Sequence, residues 1–208
     1  MIRFLGRILC GLVVTVMLAG CGGNSAMDEE YQKQADEQRI KHFYEIADLV
    51  EEYKDKVGHY PLATQKEMLK NADGAFDDDD SKKIYEMNPE VECLITPREI
   101  PERIKNRPGT FLRVSYDKMN SELSKGLGRE VTLPYDPQEK PVYKPNFYVY
   151  VFRGGDYYLS VHLYDEYKHA QKVSDHFYKL QVTSVVDQKH GIVNYRQMRD
   201  KEKAASKE

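Results

Sequence analysis

Apolar residues between Ile40 and Val57 fall at helical spacing. Ile40, Phe43, Ala47, Val50 and Val57 recur at steps close to multiples of 3.6, with Tyr44 and Ile46 on the flanks. This predicts one long amphipathic helix over 28–57. Asp28, Glu29 and Glu30 stand at its start, where negative charge complements the helix dipole. Gly58 supplies a residue free to turn left-handed after the last turn, and Pro61 forbids continuation. The first half carries few apolar marks, Tyr31 and Ala35, so it is expected to project as a solvated stalk while Ile40 onward packs.

The middle of the chain is less regular. Thr64, with Glu67 three residues on, forms a capping box that opens a short helix over 62–72. Residues 81–109 are punctuated by Pro89, Pro97, Pro101 and Pro108 and read as irregular. Phe111, Leu112, Val114 and Tyr116 alternate partly, as in a strand, whereas Met119 and Leu123 fit a helix over 115–127 ended by Gly126 or Gly128.

The strongest β signal follows. Residues 147–153, Phe-Tyr-Val-Tyr-Val-Phe-Arg, are almost all β-branched or aromatic, and residues 157–163 alternate, with Tyr157, Leu159, Val161 and Leu163 on one face. Between them Gly154-Gly155 permits the positive φ of a tight turn, so the two runs form a hairpin. Residues 177–186 give a further strand after a polar connection over 165–175, and residues 192–195 a short edge strand. The tail over 199–208 is charged and rich in Ala and Ser, and is expected to be disordered. The order predicts an α+β fold, with a long N-terminal amphipathic helix packed on a small antiparallel sheet.

The N-terminus has the three parts of a secretory signal: Arg3 and Arg7, an apolar run from Ile8 to Ala19, then small residues before a cysteine. An apolar run of about 12 residues is too short for the ~30 Å hydrocarbon core. Leu18-Ala19-Gly20-Cys21 resembles the bacterial lipobox. The resemblance implies a lipoprotein whose signal peptide, residues 1–20, is removed, leaving Cys21 as the lipidated N-terminus. Acyl chains together would hold the protein on a membrane without crossing it. Gly22, not Asp, follows Cys21, which favours the outer membrane, facing the periplasm, in a diderm source. Residues 21–27 are expected to be a lipidated tether and residues 28–198 the folded domain.

Loss of the signal removes Arg3 and Arg7 and makes the mature chain two charges more acidic than the −3 of the whole. That balance argues against nucleic-acid binding. With Cys10 gone and Cys21 lipidated, only Cys93 remains, so the mature chain forms no internal disulfide. Cys93 reads as a small buried apolar residue rather than a nucleophile.

Ile46-Ala47-Asp48-Leu49-Val50-Glu51-Glu52-Tyr53-Lys54 followed by Gly58-His59-Tyr60-Pro61 is similar to the end of the long helix in type IV pilins and type II secretion pseudopilins. Leu133-Pro134-Tyr135-Asp136-Pro137, then Pro141 and Tyr143, resembles the major-pseudopilin run into its first strand, and Tyr158-Leu159 stands where that family has its sheet. The resemblance implies a pilin-like head. It does not imply a filament subunit, because a lipobox and a polar stretch replace the long apolar helix that packs pilus cores. Gln138 stands where the family has Trp. The family's calcium loop follows its strands, whereas Asp77 to Asp80 precede them here, so no metal site is carried over and the acidic run reads as a solvated loop.

Catalytic patterns are lacking. The six histidines, His42, His59, His162, His169, His176 and His190, form no ligand motif, and Ser160 lies mid-strand. No cofactor is expected. The functional expectation is a non-catalytic, lipid-anchored periplasmic binding or scaffold module, with an envelope protein of unspecified identity as partner and a link to secretion or pilus-type machinery. The alternative is an immunity-type inhibitor lipoprotein that neutralises a periplasmic toxin. Tyr148, Tyr150, Tyr157 and Tyr158 are the candidate interface, because tyrosine supplies contact area at low entropic cost; packing beneath the helix is the competing reading of the same residues.

Overall fold

The computed structural model describes residues 23–63, 90–96, 111–138, 147–175, 177–185 and 192–205, with the side chains of the first helix described from Tyr31 onward. Cys21, the short helix expected over 62–72 beyond Ala63, and Asp77 to Asp80 lie outside the described residues. The described elements are α1 (Gly23–Val57), β1 (Glu90–Ile95), β2 (Phe111–Val114), α2 (Tyr116–Leu127), β3 (Tyr148–Arg153), β4 (Asp156–Leu163), β5 (Ala170–Ser174), β6 (Phe177–Thr183), β7 (Val193–Asn194) and α3 (Tyr195–Ala205). The class is α+β.

The seven strands form one sheet in the order β2-β1-β3-β4-β6-β5, with β7 beside β6. The sheet is mixed, which corrects the antiparallel expectation. β2 runs parallel to β1, and β7 parallel to β6. In both cases the connection is long enough to return the chain to the end from which it started, which a tight hairpin cannot do. The β3–β4 hairpin turns through Gly154-Gly155, at φ 61° and 95°, between the paired residues Arg153 and Asp156.

Strand register sorts the side chains. Val91, Cys93 and Ile95 of β1, Tyr148, Tyr150 and Phe152 of β3, and Tyr157, Leu159, Val161 and Leu163 of β4 share one face, and all are buried. Phe43, Ile46, Ala47 and Val50 of α1 are fully buried in the same core, with Met119 and Leu123 of α2. α1 runs antiparallel to β4: Asp36 accepts the backbone N–H groups of Tyr164 and Asp165, whereas Glu51, four turns later, accepts from the Tyr157 hydroxyl.

α2 is capped by Ser115, whose hydroxyl accepts the Lys118 N–H at 3.2 Å, and ends on Gly128 at φ 66°. α1 closes where Gly58, at φ 93°, returns its N–H to Lys54 O at 2.9 Å. The chain then passes through Leu62, a buried non-glycine residue at φ 63°. Its N–H donates to Glu122 of α2 at 2.5 Å, and the Tyr150 hydroxyl donates to Pro61 O at 2.8 Å. These two bonds hold a backbone conformation that leucine disfavours.

Three local expectations are corrected. Gly23 to Ala26, expected as tether, are helical. Packing of α1 begins before Ile40, because Ala35, Asp36 and Arg39 are buried. Arg199 to Ala205, expected to be disordered, continue α3, where Tyr195 and Met198 anchor one face in the core and Lys168 pairs with Glu202 at 3.0 Å.

Candidate functional site: a buried ionic clasp on α1

Arginine is rarely buried without partners, yet Arg39 is fully buried. α1 points it at the 131–138 segment. Its Nε donates to Asp136 Oδ2 at 2.7 Å, and its Nη2 reaches Asp136 Oδ1 at 3.2 Å and Gln138 Oε1 at 2.6 Å. Nη1 donates to Asp36 Oδ1, one helical turn earlier, at 2.6 Å. The guanidinium also lies 5.0 Å from the centre of the Tyr164 ring. The planar fork of arginine matches this two-sided demand, and a lysine would not.

Each carboxylate is further satisfied. Asp136 Oδ1 accepts the Gln138 N–H across Pro137 at 2.8 Å, a local turn that an Asp-Pro-x sequence favours. Asp36 Oδ2 accepts the N–H groups of Tyr164 and Asp165 at 2.6 and 2.8 Å. Gln138 donates onward to Gln32 at 3.1 Å. The cluster therefore ties α1 to the 131–138 segment and to the end of β4.

The electrostatics follow from burial. Desolvation pushes the Asp36 carboxyl above its ordinary value, against the pull of its backbone donors and Arg39. Burial also works against the Arg39 charge, but Asp136 and Asp36 outweigh it and hold the guanidinium more firmly protonated. Beside the clasp, His42 Nδ1 lies 3.2 Å from the Tyr148 hydroxyl, and burial lowers the pKa of the imidazole.

A second cluster fixes α3. Glu51 is buried and takes the Tyr157 hydroxyl at 3.0 Å and Arg196 Nε at 2.5 Å, while Asp55 pairs with Arg196 Nη2 at 2.6 Å. The Tyr195 hydroxyl donates to Asp48 at 2.6 Å.

The candidate interface is corrected by burial. Tyr148, Tyr150 and Tyr157 have no exposed surface, and only Tyr158, on the opposite face of the sheet, is partly accessible. Tyr150 and Tyr157 stack with ring centroids 6.0 Å apart, and Tyr60 meets Tyr157 edge-on at 4.9 Å. These rings fill the space between α1 and the sheet and spend their hydroxyls on Pro61 O and Glu51, so they offer no contact area to a partner.

Cys93 is buried and free, its thiol pushed up to about 12 by desolvation, which withholds the reactive thiolate. His162 lies on β4 and His169 in the turn before β5. Among the described residues no group of three or more His, Cys, Asp or Glu side chains is placed to hold a metal ion, and no helix is long and apolar enough to cross a membrane. The chemistry of the clasp is retention: its charges are spent on one another and on backbone donors. Comparison with protein-family models, curated proteins and solved structures finds no match to this chain.

Arg39 was not legible as a buried position, because arginine at a helical site reads as solvated surface. The signal was present in two places: an aspartate one turn earlier, and the Asp-Pro turn at Asp136, which carried part of the pilin resemblance.

Proposed function

We propose that this chain is a lipid-anchored, non-catalytic binding or scaffold module of the cell envelope, held at the outer membrane on the periplasmic side in a diderm source. The lipobox at Leu18-Ala19-Gly20-Cys21 carries this reading. We also infer that the body follows a pilin-like plan. In its support, a long helix closes on the Gly58-His59-Tyr60-Pro61 turn, and Asp136 of the Leu-Pro-Tyr-Asp-Pro motif is drawn onto that helix by Arg39. Anchoring by lipid in place of an apolar helix makes this a body that presents surface near the envelope, not one that polymerises through a filament core. Its partner is an envelope protein, with secretion or pilus-type machinery the favoured class.

The test is chemical. Mass spectrometry of the protein expressed in a diderm bacterium should show cleavage before Cys21 and acyl chains on that residue, and Cys21→Ser should abolish both and release the protein from the membrane fraction. An intact, unmodified leader would overturn the address. Crosslinking in envelopes then separates the partner classes: secretion or envelope components support the scaffold reading, and a single toxic enzyme favours an inhibitor.

A further inference from the structure

The second half of α1 carries a stripe of acids. Asp48, Glu51 and Asp55 stand three and four residues apart, so they share one face of the helix, and Tyr44 extends that stripe by one turn. Like charges at this spacing repel and weaken a helix unless a cation covers them. α3 supplies the cover. The Tyr195 hydroxyl donates to Asp48 at 2.6 Å, and the ring stacks on Tyr44 at 6.2 Å. Arg196 reaches Glu51 at 2.5 Å and Asp55 at 2.6 Å, and Arg199 reaches Asp48 at 3.5 Å. The Met198 sulfur lies 4.0 Å from the Tyr44 hydroxyl. Arg196 thus meets the later positions of α1, and Met198 and Arg199 the earlier ones, so α3 lies antiparallel to α1. Its grip is two apolar anchors a turn apart, each followed by an arginine.

We propose that the Tyr44–Asp48–Glu51–Asp55 stripe is a recognition seat for a basic amphipathic helix of a partner protein, and that α3 fills it in cis as a built-in competitor. The inference names the partner class of the binding-module reading and rests on that part of it, not on the lipid anchor. Charge complementarity selects the occupant: three acids on one helix face match a helix that sets arginines beside apolar anchors, and they repel an acidic one. The seat is also preformed. Glu51 holds the Tyr157 hydroxyl with one oxygen and Arg196 with the other, so its carboxylate stays in place when α3 leaves. The pairs to Asp48 and Asp55 are exposed, and such pairs hold weakly in water. A partner helix therefore exchanges with α3 group for group: anchors replace anchors, and cations replace cations. This is helix-in-groove recognition, read through positions one turn apart.

The experiment measures binding of a fluorescein-labelled peptide of residues 193–205 to the full chain by anisotropy at low salt. Arg196→Glu with Arg199→Glu reverses two charges of α3 while leaving Tyr195 and Met198 in place, and so releases α3 from the seat. The peptide is expected to bind this variant about tenfold or more tighter than the wild type, whose tethered α3 competes at high effective concentration. Adding Asp48→Asn and Asp55→Asn to the released chain should weaken the peptide by about fivefold or more. Added salt should weaken binding to the intact seat, and a peptide with both arginines changed to glutamate should not bind. Hydrogen exchange of β3 and β4 reports whether the released chain keeps its core; if it does not, Arg196→Ala with Arg199→Ala is read in the same way. No binding to a folded, released chain overturns the seat, as does binding that ignores Asp48 and Asp55. A wild-type chain that forms dimers by exchanging α3 fills the seat with a second copy and overturns the partner reading. Crosslinks in envelopes that map to a partner away from α1 would keep the binding module while the seat falls.

Discussion

Arg39 ties together parts of the chain that lie far apart in sequence. One guanidinium satisfies two buried carboxylates and a buried amide drawn from positions nearly a hundred residues apart. A buried ion pair is weak evidence for stability when compared with a hydrophobic replacement of the whole set, but removing one partner strands the others. Arg39→Met therefore leaves Asp36 and Asp136 buried beside an apolar chain, and a loss of about 3–5 kcal/mol is expected in urea unfolding. Arg39→Lys should recover only part of it, because a single ammonium cannot fork between both acids. Asp36 gives a pH signature. Its folded pKa lies above the ordinary 3.8, so between the two values the folded state holds more proton than the unfolded state. Stability from this group is full below the unfolded pKa and is lost as pH rises through the folded one. Against Asp36→Asn, which has no proton to bind, the wild type should therefore lose relative stability as pH rises from 3.8, and the gap should level once the folded carboxyl is ionised. Urea titrations of both proteins across that range read the slope directly, and a wild type that gains on the variant would show the folded state preferring the carboxylate.

At the scale of elements, α2 separates helix propensity from packing. Gly126 sits inside that helix, where alanine would ordinarily be better by roughly 1 kcal/mol. A Cβ at this position would stand 2.1 Å from the Tyr53 ring. Tyr53 is buried, and its hydroxyl reaches Glu122 at 3.4 Å, the same carboxylate that holds Leu62. The ring cannot withdraw without disturbing that turn, so Gly126→Ala should destabilise by about 1–3 kcal/mol in thermal or urea unfolding, opposite in sign to propensity. Such contacts mark the limit of what sequence conveys. Periodicity placed α1 from Ile40, α2 and the β3–β4 hairpin, because each buries one face and writes its own period. β1 was read as irregular: it is buried on both sides, including Glu92, which pairs with Arg113 at 3.0 Å, so it has no alternation. β5 is nearly all exposed and joins the sheet through backbone bonds to β6, which leave no side-chain pattern. The 199–205 part of α3 was read as tail because the helix is anchored by only two residues, Tyr195 and Met198, which precede that charged run. The clasp was hidden for a related reason: its energy lies in a pairing between Arg39 and Asp136 that no local window contains.

For the whole molecule, these interactions imply an order of opening. α1, β3 and β4 share the aromatic core, with Phe43, Tyr148, Tyr150 and Tyr157 fully buried and several hydroxyls committed within it. α3 is added from outside. Its arginines, Arg196 and Arg199, are 49% and 38% exposed at the side chain, and their pairs with exposed Asp55 and Asp48 contribute little and weaken with salt, which leaves buried Glu51 as the one strong ionic partner among these contacts. Tyr195 and Met198 are the lasting contacts, and their loss would uncover Tyr44, which stacks on Tyr195 at 6.2 Å. Local opening should therefore release α3 at a free energy well below that of global unfolding. Native-state hydrogen exchange tests this. Amides of α3 should exchange first and share one low opening energy, while those of β3, β4 and the 43–53 stretch of α1 exchange only near the global limit. Tyr195→Ala should lower the α3 value and the core value by the same amount, because the contacts it removes are lost in both openings, until α3 is already released in the native state. If α3 instead exchanges together with β4, the Glu51 hub, which bonds Tyr157 and Arg196 at once, couples the C-terminal helix to the sheet, and the two open as one unit.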